Sequence, residues 1–199
     1  TEDRDAIAGD LCSKSGATFV HPYNDVGVIA GQGTVGLEMA AQAAALGLHL
    51  DDVLACTGGG GLSSGIALAL EEKSPGTVFH TAEPELFDDY KRSLEAGERL
   101  SNAVKTGSVC DALLSESPGD IGFSILSRVA GEGVTVTDEE ALAAVAFAFT
   151  ELKLVVEPGG AVALAALLAG KLPFKGKTVG IVLTGGNIDP QMLKTALSR

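Results

Sequence analysis

Residues 53–73 constrain the fold more than any other stretch of this chain. Val53-Leu54-Ala55-Cys56-Thr57 is a short apolar run; Gly58, Gly59, Gly60 and Gly61 follow, and helical spacing then extends from Leu62 to about Lys73. A strand that feeds a helix through a glycine-rich bend is half of a βαβ unit. The bend is also an anion site: glycines let main-chain N–H groups converge, and the helix N-terminus adds about half a positive charge. A single glycine serves a βα turn. Four in a row cost conformational entropy, which points to a group that the backbone must approach closely; the plainer alternative is a tight turn with no ligand. The pattern is neither G-x-x-x-x-G-K-[ST] nor G-x-G-x-x-G. With no lysine to meet a γ-phosphate, a phosphate monoester held by backbone amides is the expected ligand.

The same alternation runs along the chain. Helices are expected over 3–15, 35–46 and 62–73, near 88–95, from Thr137 to about 152, over 161–169 and after Asn187. Strands are expected over 18–20, 52–56, 77–81, 134–136 and 178–183. Thr137, with Glu140 three residues on, has the form of a helix cap. The section 83–133 is less regular and includes a loop at Ser117-Pro118-Gly119. Strands alternating with helices predict an α/β fold: an open, mostly parallel sheet with helices on both faces. The chain is 46% hydrophobic, has 26 glycines and lacks Trp, which suits helices packed on a parallel sheet better than a β-sandwich. Its 199 residues suffice for one sizeable domain, read as continuous from Asp52 onward.

Charge and cysteine usage narrow the partners. A formal net charge of −12, with no basic run, opposes binding to nucleic acid phosphates or anionic membrane surfaces. The apolar stretches are interrupted by charge or glycine, so no membrane span is expected. Thr1-Glu2-Asp3-Arg4 is acidic where a secretory signal is basic. Cys12, Cys56 and Cys110 are odd in number and form no CxxC, which suits reduced thiols in a cytoplasmic protein. The chain has no initiator Met and starts inside a helical pattern, so it is expected to be part of a longer polypeptide.

A second loop belongs with the first. The strand expected over 178–183 ends in Thr184-Gly185-Gly186-Asn187. In an open parallel sheet ligands sit beyond the carboxyl ends of strands, so Thr184 is expected to present its hydroxyl to the same crevice as the glycines. An N-cap or a hydroxyl-stabilised turn is the alternative role for Thr184.

Several segments occur in a familiar order: His21-Pro22, Ile29-Ala30-Gly31-Gln32-Gly33-Thr34, Thr57-Gly58-Gly59-Gly60-Gly61-Leu62, Ala82-Glu83-Pro84, Glu157-Pro158-Gly159-Gly160-Ala161 and Leu183-Thr184-Gly185-Gly186-Asn187. Together they resemble the fold-type-II pyridoxal 5′-phosphate (PLP) enzymes of the serine/threonine dehydratase and serine racemase group, over essentially the whole chain. The resemblance implies the tryptophan-synthase-β-like fold, with residues 1–26 ending a small domain and 27–199 forming the large PLP-binding domain. It implies that Gly58, Gly59, Gly60, Gly61 and the Leu62 amide hold the PLP phosphate and that Thr184 meets the pyridine nitrogen. It assigns a divalent cation (Mg²⁺, Mn²⁺ or Ca²⁺) to Glu83, Asp89 and the Phe87 carbonyl, a ligand chemistry that suits hard cations; solvated carboxylates at a helix start are the alternative. Arg4 and Ser115 fall where related racemases place groups near the substrate carboxylate.

The family's Schiff-base lysine belongs to a Ser-Phe-Lys segment upstream of the matching region. The lysines at 14, 73, 91, 105, 153, 171, 175, 177 and 194 lack that context, so no catalytic residue is assigned within these 199 positions. Tyr23 stands where related racemases have Asn and dehydratases often have an aromatic residue; Glu116-Ser117-Pro118-Gly119 is also dehydratase-like, whereas Cys110-Asp111-Ala112 replaces the usual Ala-Asp-Gly and narrows the substrate side. The implied activity is β-elimination from a 3-hydroxy amino acid such as L-threonine, L-serine or 3-hydroxyaspartate, giving a 2-keto acid and ammonia, in a homodimer. Racemisation in the same pocket, a nucleotide-binding Rossmann-like module and a non-catalytic regulatory fragment are the alternatives. The Rossmann reading lacks G-x-G-x-x-G with its acidic partner.

Overall fold

The apolar run that precedes the glycines becomes β1 (Asp52–Cys56), buried along its whole length. In the computed structural model, which describes the backbone from Arg4 and the side chains from Ala6 onward, β1 lies between two parallel neighbours. These are β2 (Val78–Pro84) on one side and β4 (Val179–Ile181) on the other, with β3 (Val134–Val136) outside β2, giving the order β3-β2-β1-β4. The register pairs Cys56 with Ala82 and Leu54 with Ile181. Thus the residues following β1, β2 and β4 emerge at one edge of the sheet.

A buried parallel strand needs cover on both faces. Val53 and Ala55 face Ala40, Ile66, Leu70 and Leu126, which come from α2 (Val26–Ala45), α3 (Gly61–Lys73) and α5 (Asp120–Val129). Leu54 and Cys56 face the opposite core, built largely from α6 (Asp138–Phe147), α7 (Pro158–Leu168) and α8 (Pro190–Leu197). The remaining helices are α1 (Arg4–Ser15) and α4 (Asp89–Ala96). The expected α/β architecture is therefore the observed one. The Thr137 cap forms as a reciprocal pair: Thr137 Oγ1 accepts from the Glu140 amide at 3.1 Å, and the Thr137 amide donates to Glu140 Oε2 at 2.8 Å. Among the described residues, no helix is long and apolar enough to cross a membrane.

Three local expectations are corrected. Residues 18–20 are irregular; no sheet neighbour pairs with them. The helix expected over 35–46 starts at Val26, under an Asp25 side chain that accepts from the Val28 amide at 2.9 Å. Its glycines suggest a break, but Gly33 and Gly36 are where α2 meets α3: a Cβ on Gly36 would lie 2.8 Å from the Ile66 carbonyl oxygen, and one on Gly65 of α3 would collide with that of Ile29. Close backbone contact here outweighs the helix-propensity cost of glycine, about 1 kcal/mol per residue. Finally, α5 occupies part of the section expected to be irregular, with Gly119 as its N-cap and Leu126 buried against β1.

At the opposite end of the sheet, Asp52 is only 2% exposed. Its Oδ1 lies 2.9 Å from His80 Nε2 and its Oδ2 2.8 Å from Lys177 Nζ, while His80 Nδ1 meets the Glu132 carbonyl at 2.9 Å. Burial works to raise the Asp52 carboxyl, but the hydrogen bonds and charges of Lys177 and His80 outweigh it and hold the group below the usual carboxylate range. This cluster ties β1, β2 and the segment leading into β4 together, away from the glycine bend.

Candidate active site

The bend is held open by its own hydroxyls. Thr57 donates its amide to Ala82 O at 2.9 Å, and its Oγ1 sits 2.8 Å from Ser63 Oγ, joining the end of β1 to the first turn of α3. Gly60 is the N-cap of α3 and has φ +95°, a left-handed conformation that favours glycine. Having no side chain, it supplies no cap to the helix. Among the described residues, the amides of Gly58, Gly59, Gly60, Gly61, Leu62 and Ser63 have no protein acceptor; the first helical bond is from Ser64 N to Gly60 O. Gly59, Gly60, Gly61 and Ser63 are buried. Buried main-chain donors are ordinarily paired. Six consecutive donors without a protein partner, at a helix N-terminus, fit a multiply charged anion such as a phosphate ester.

The outer wall of the bend comes from three distant segments. Tyr23 covers Gly59 and Gly61: a Cβ on Gly59 would collide with the Tyr23 ring, and one on Gly61 would lie 2.9 Å from the Tyr23 Cα. Tyr23 is placed by His21, whose Nδ1 accepts from the Asn24 amide at 2.9 Å and whose ring packs edge-on against the Tyr23 ring. Asn24 Oδ1 in turn takes the Ile121 amide at 3.0 Å. The Gly59 carbonyl accepts from the Gly119 amide at 3.1 Å and from Tyr90 Oη at 3.2 Å. Ser115 is brought to the bend, its Oγ lying 3.2 Å from where a Gly58 Cβ would stand. Arg4 begins α1, and its side chain lies outside the described residues.

Thr184 arrives from β4 on the other side. Val182 N donates to Leu54 O at 3.0 Å, and two residues on, Thr184 Oγ1 lies 3.4 Å from Cys56 Sγ. Cys56 is two positions before Gly58, so the threonine hydroxyl and the glycine bend lie at the same, carboxyl edge of the sheet, after β4 and β1. Thr184 is exposed. The start of α7 backs the loop: Thr184 N donates to Gly160 O at 3.3 Å, and Glu157 N to Gly185 O at 2.9 Å. The Glu157 carboxylate lies so close to Gly185 that any Cβ there would collide with it. Cys56 and Glu157 are thus site neighbours that sequence reasoning did not single out. Glu157 opens one quoted motif and Cys56 directly precedes another, but neither position signalled this contact, and the Cys56–Thr184 contact spans 128 positions.

Glu83 and Asp89 come together behind the bend, both essentially buried, with buried Phe87 between them in sequence. Glu83 receives the Tyr90 and Lys91 amides at 2.8 Å each, so it caps α4. Burial and then the Asp89 charge push the Glu83 carboxyl well above its usual range, against those two hydrogen bonds. Asp89 Oδ1 accepts from Asn102 Nδ2 at 2.7 Å, whereas its buried Oδ2 has no hydrogen-bond partner among the described residues. Burial, opposed by the Asn102 hydrogen bond, raises the Asp89 carboxyl to about 6. Asn102 Nδ2 also donates to Ser115 O at 2.9 Å, linking this pair to the Gly58 wall. Among the described residues, no group of three or more His, Cys, Asp or Glu side chains is placed to hold a metal ion; the expected set used two carboxylates and a carbonyl.

Comparison with known proteins points the same way. A family model described as pyridoxal-phosphate dependent enzyme matches residues 1–185. A beta-hydroxyaspartate dehydratase from Paracoccus denitrificans is 40% identical over 190 residues, covering 95% of this chain and 58% of the relative. A serine racemase from Schizosaccharomyces pombe is 33% identical over 198 residues, covering 100% of this chain and 60% of the relative. The crystal structure of a T.th. threonine deaminase superposes with a TM-score of 0.88 at 42% identity, covering 94% of this chain and 63% of that one. The chain spans three-fifths or less of the length of these curated relatives.

Proposed function

From the premise that this chain belongs to the pyridoxal-phosphate dependent enzymes, we propose that it forms most of the cofactor-binding domain of an ammonia-lyase acting on a 3-hydroxy amino acid. The observation that carries this reading is the run of six acceptor-less amides from Gly58 to Ser63, at the same edge of the sheet as the Thr184 hydroxyl. PLP, when bound, supplies an electron sink that makes the α-proton of an amino acid acidic. The residues of this chain bind and orient. The amides of Gly58, Gly59, Gly60, Gly61 and Leu62 take the phosphate. Thr184 takes the ring nitrogen, and unlike a carboxylate its hydroxyl does not hold that nitrogen protonated, a setting that suits prompt loss of a β-hydroxyl. The Tyr23 ring and the Ser115 loop wall the bend and limit access of water.

The lysine that would anchor the cofactor is assigned to the remainder of the longer polypeptide. Lys177 pairs with Asp52 and Lys171 with Glu140, and among the described residues no hydrogen bond or ion pair sets a lysine at the bend. In the same reading residues 1–26 end the small domain, Arg4 and Ser115 attend the substrate carboxylate, and the enzyme is a cytoplasmic homodimer. Glu83, Asp89 and the Phe87 carbonyl hold Mg²⁺, Mn²⁺ or Ca²⁺, supported by the buried Asp89 oxygen left without a partner.

The test uses the full-length protein. Visible absorbance of bound PLP, and 2-keto acid with ammonia released from L-threonine, L-serine or 3-hydroxyaspartate, are expected. Thr184→Val should bind PLP more weakly while folding normally. A protein that inverts serine without releasing keto acid would transfer the reading to racemisation. One that takes up no PLP would sink it.

A further inference from the structure

The main chain of Thr184 is fixed, but the direction of its hydroxyl hydrogen is not. Its amide is bonded to Gly160 O, and a Cβ on Gly160 would come within 3.0 Å of Oγ1, so the loop is pressed against α7. The hydroxyl carries one hydrogen and two lone pairs. Among the described residues its one side-chain partner is Cys56 Sγ, at 3.4 Å, and either atom can donate.

The two arrangements have different consequences. If Thr184 donates to the sulfur, its oxygen can only accept from the ring, which requires a protonated ring nitrogen. If Cys56 donates to the oxygen, the hydroxyl hydrogen is free to bond an unprotonated ring nitrogen. Against an unprotonated ring nitrogen, a strong acceptor, the second arrangement gives the hydroxyl hydrogen a better partner than the thiol sulfur, a weak one. Cys56 is buried at the end of β1, paired with Ala82, whereas Thr184 is exposed; the thiol therefore meets the oxygen from the core side and leaves its solvent side open. Burial, with the Glu157 charge adding to it, raises the thiol above its usual range, against the Thr184 hydrogen bond, so the donor hydrogen stays in place.

We propose that Cys56 is a positioning residue whose S–H donates to Thr184 Oγ1 and so directs the threonine hydroxyl hydrogen at the pyridine nitrogen of the cofactor. The inference rests on the reading of Thr184 given above.

The experiment loads the full-length holoenzyme with PLP labelled with ¹⁵N in the ring, and records the ring-nitrogen chemical shift and the PLP dissociation constant. In the parent protein the nitrogen is expected unprotonated and hydrogen-bonded. Cys56→Ala and the better-filling Cys56→Val should both move the shift toward that of unbonded base and weaken PLP about 3- to 10-fold, the value of one modest hydrogen bond. Cys56→Ser, which keeps a donor, should restore both readings. A shift that stays put in Cys56→Val, or a Cys56→Ser protein that behaves like Cys56→Ala, overturns the proposal. Thr184→Val separates the two readings. If it moves the shift and Cys56→Val does not, only the Cys56 inference fails. If Thr184→Val leaves the shift unchanged, the Thr184 reading itself fails and takes the inference with it.

Discussion

Gly60→Ala and Gly58→Ala add the same methyl group two residues apart in the bend, and the structure predicts very different costs. At Gly60 the backbone has φ +95°, and a Cβ would collide with Tyr90 Oη and stand 2.5 Å from Cζ. The left-handed conformation costs an alanine about 1–2 kcal/mol. Tyr90 has no exposed surface into which to move, so overpacking adds about 1–3 kcal/mol. Displacing its hydroxyl from Gly59 O loses about 1 kcal/mol more. The total, about 3–6 kcal/mol, is a large part of the roughly 5–15 kcal/mol that typically holds a domain together. At Gly58 the nearest atom is Ser115 Oγ at 3.2 Å, with no unusual φ. That side chain can give by a few tenths of an ångström, so the cost should stay below about 1 kcal/mol. Urea unfolding of the parent and both variants reads the difference directly. The Gly58→Ala midpoint should sit near the parent and that of Gly60→Ala far below. Two alanine variants unfolding within about 1 kcal/mol of each other would refute the account of how the bend is built.

Asp52→Asn removes the carboxylate facing His80 and Lys177 at the far end of the sheet. Because the Lys177 amine can turn to solvent, the loss should be about 1–3 kcal/mol at neutral pH, below the roughly 3–5 kcal/mol typical of a fully buried pair. The folded-state carboxyl is held below its usual value, so its contribution is complete above about pH 4 and disappears as pH falls through the lower folded value. Parent and variant stabilities should therefore converge in acid, and a constant gap from neutral pH down to about pH 2 would contradict the assignment. Asp89→Asn addresses the cation reading: Mn²⁺ at about 100 times its Kd should raise the parent Tm by about 5–10 °C, and a chelator should reverse the rise. The Asn variant should show neither effect, and an equal rise in both proteins would place the cation elsewhere.

The candidate site was legible where chemistry and local spacing coincide. Strand, glycines and helix were readable as one strand-to-helix bend because each part has its own sequence signature, and the observed β1 matches the expected 52–56. Thr184 could be placed at the same edge because parallel strands share one polarity. Cys56 and Glu157 were not legible as its neighbours. Their contacts join residues far apart in the chain, and no periodicity reports which side chains meet where two loops converge. Tyr23 was singled out by its place in the family resemblance, but that its ring covers Gly59 and its Cα and Cβ cover Gly61 follows only from the packing of the 21–24 segment against α5.

What the sequence by itself determined is a parallel α/β sheet with a glycine bend from strand into helix, because strand hydrophobicity, helix periodicity and glycine runs are local properties with local physical causes. What only the tertiary structure decided is the meaning of glycines such as Gly33, Gly36 and Gly65. In isolation they weaken a helix; in the fold they let α2 and α3 meet backbone to backbone, and α2 persists through Gly33 and Gly36 from Val26. Propensity is summed residue by residue, whereas close approach belongs to a pair of surfaces that exists only once the chain has folded.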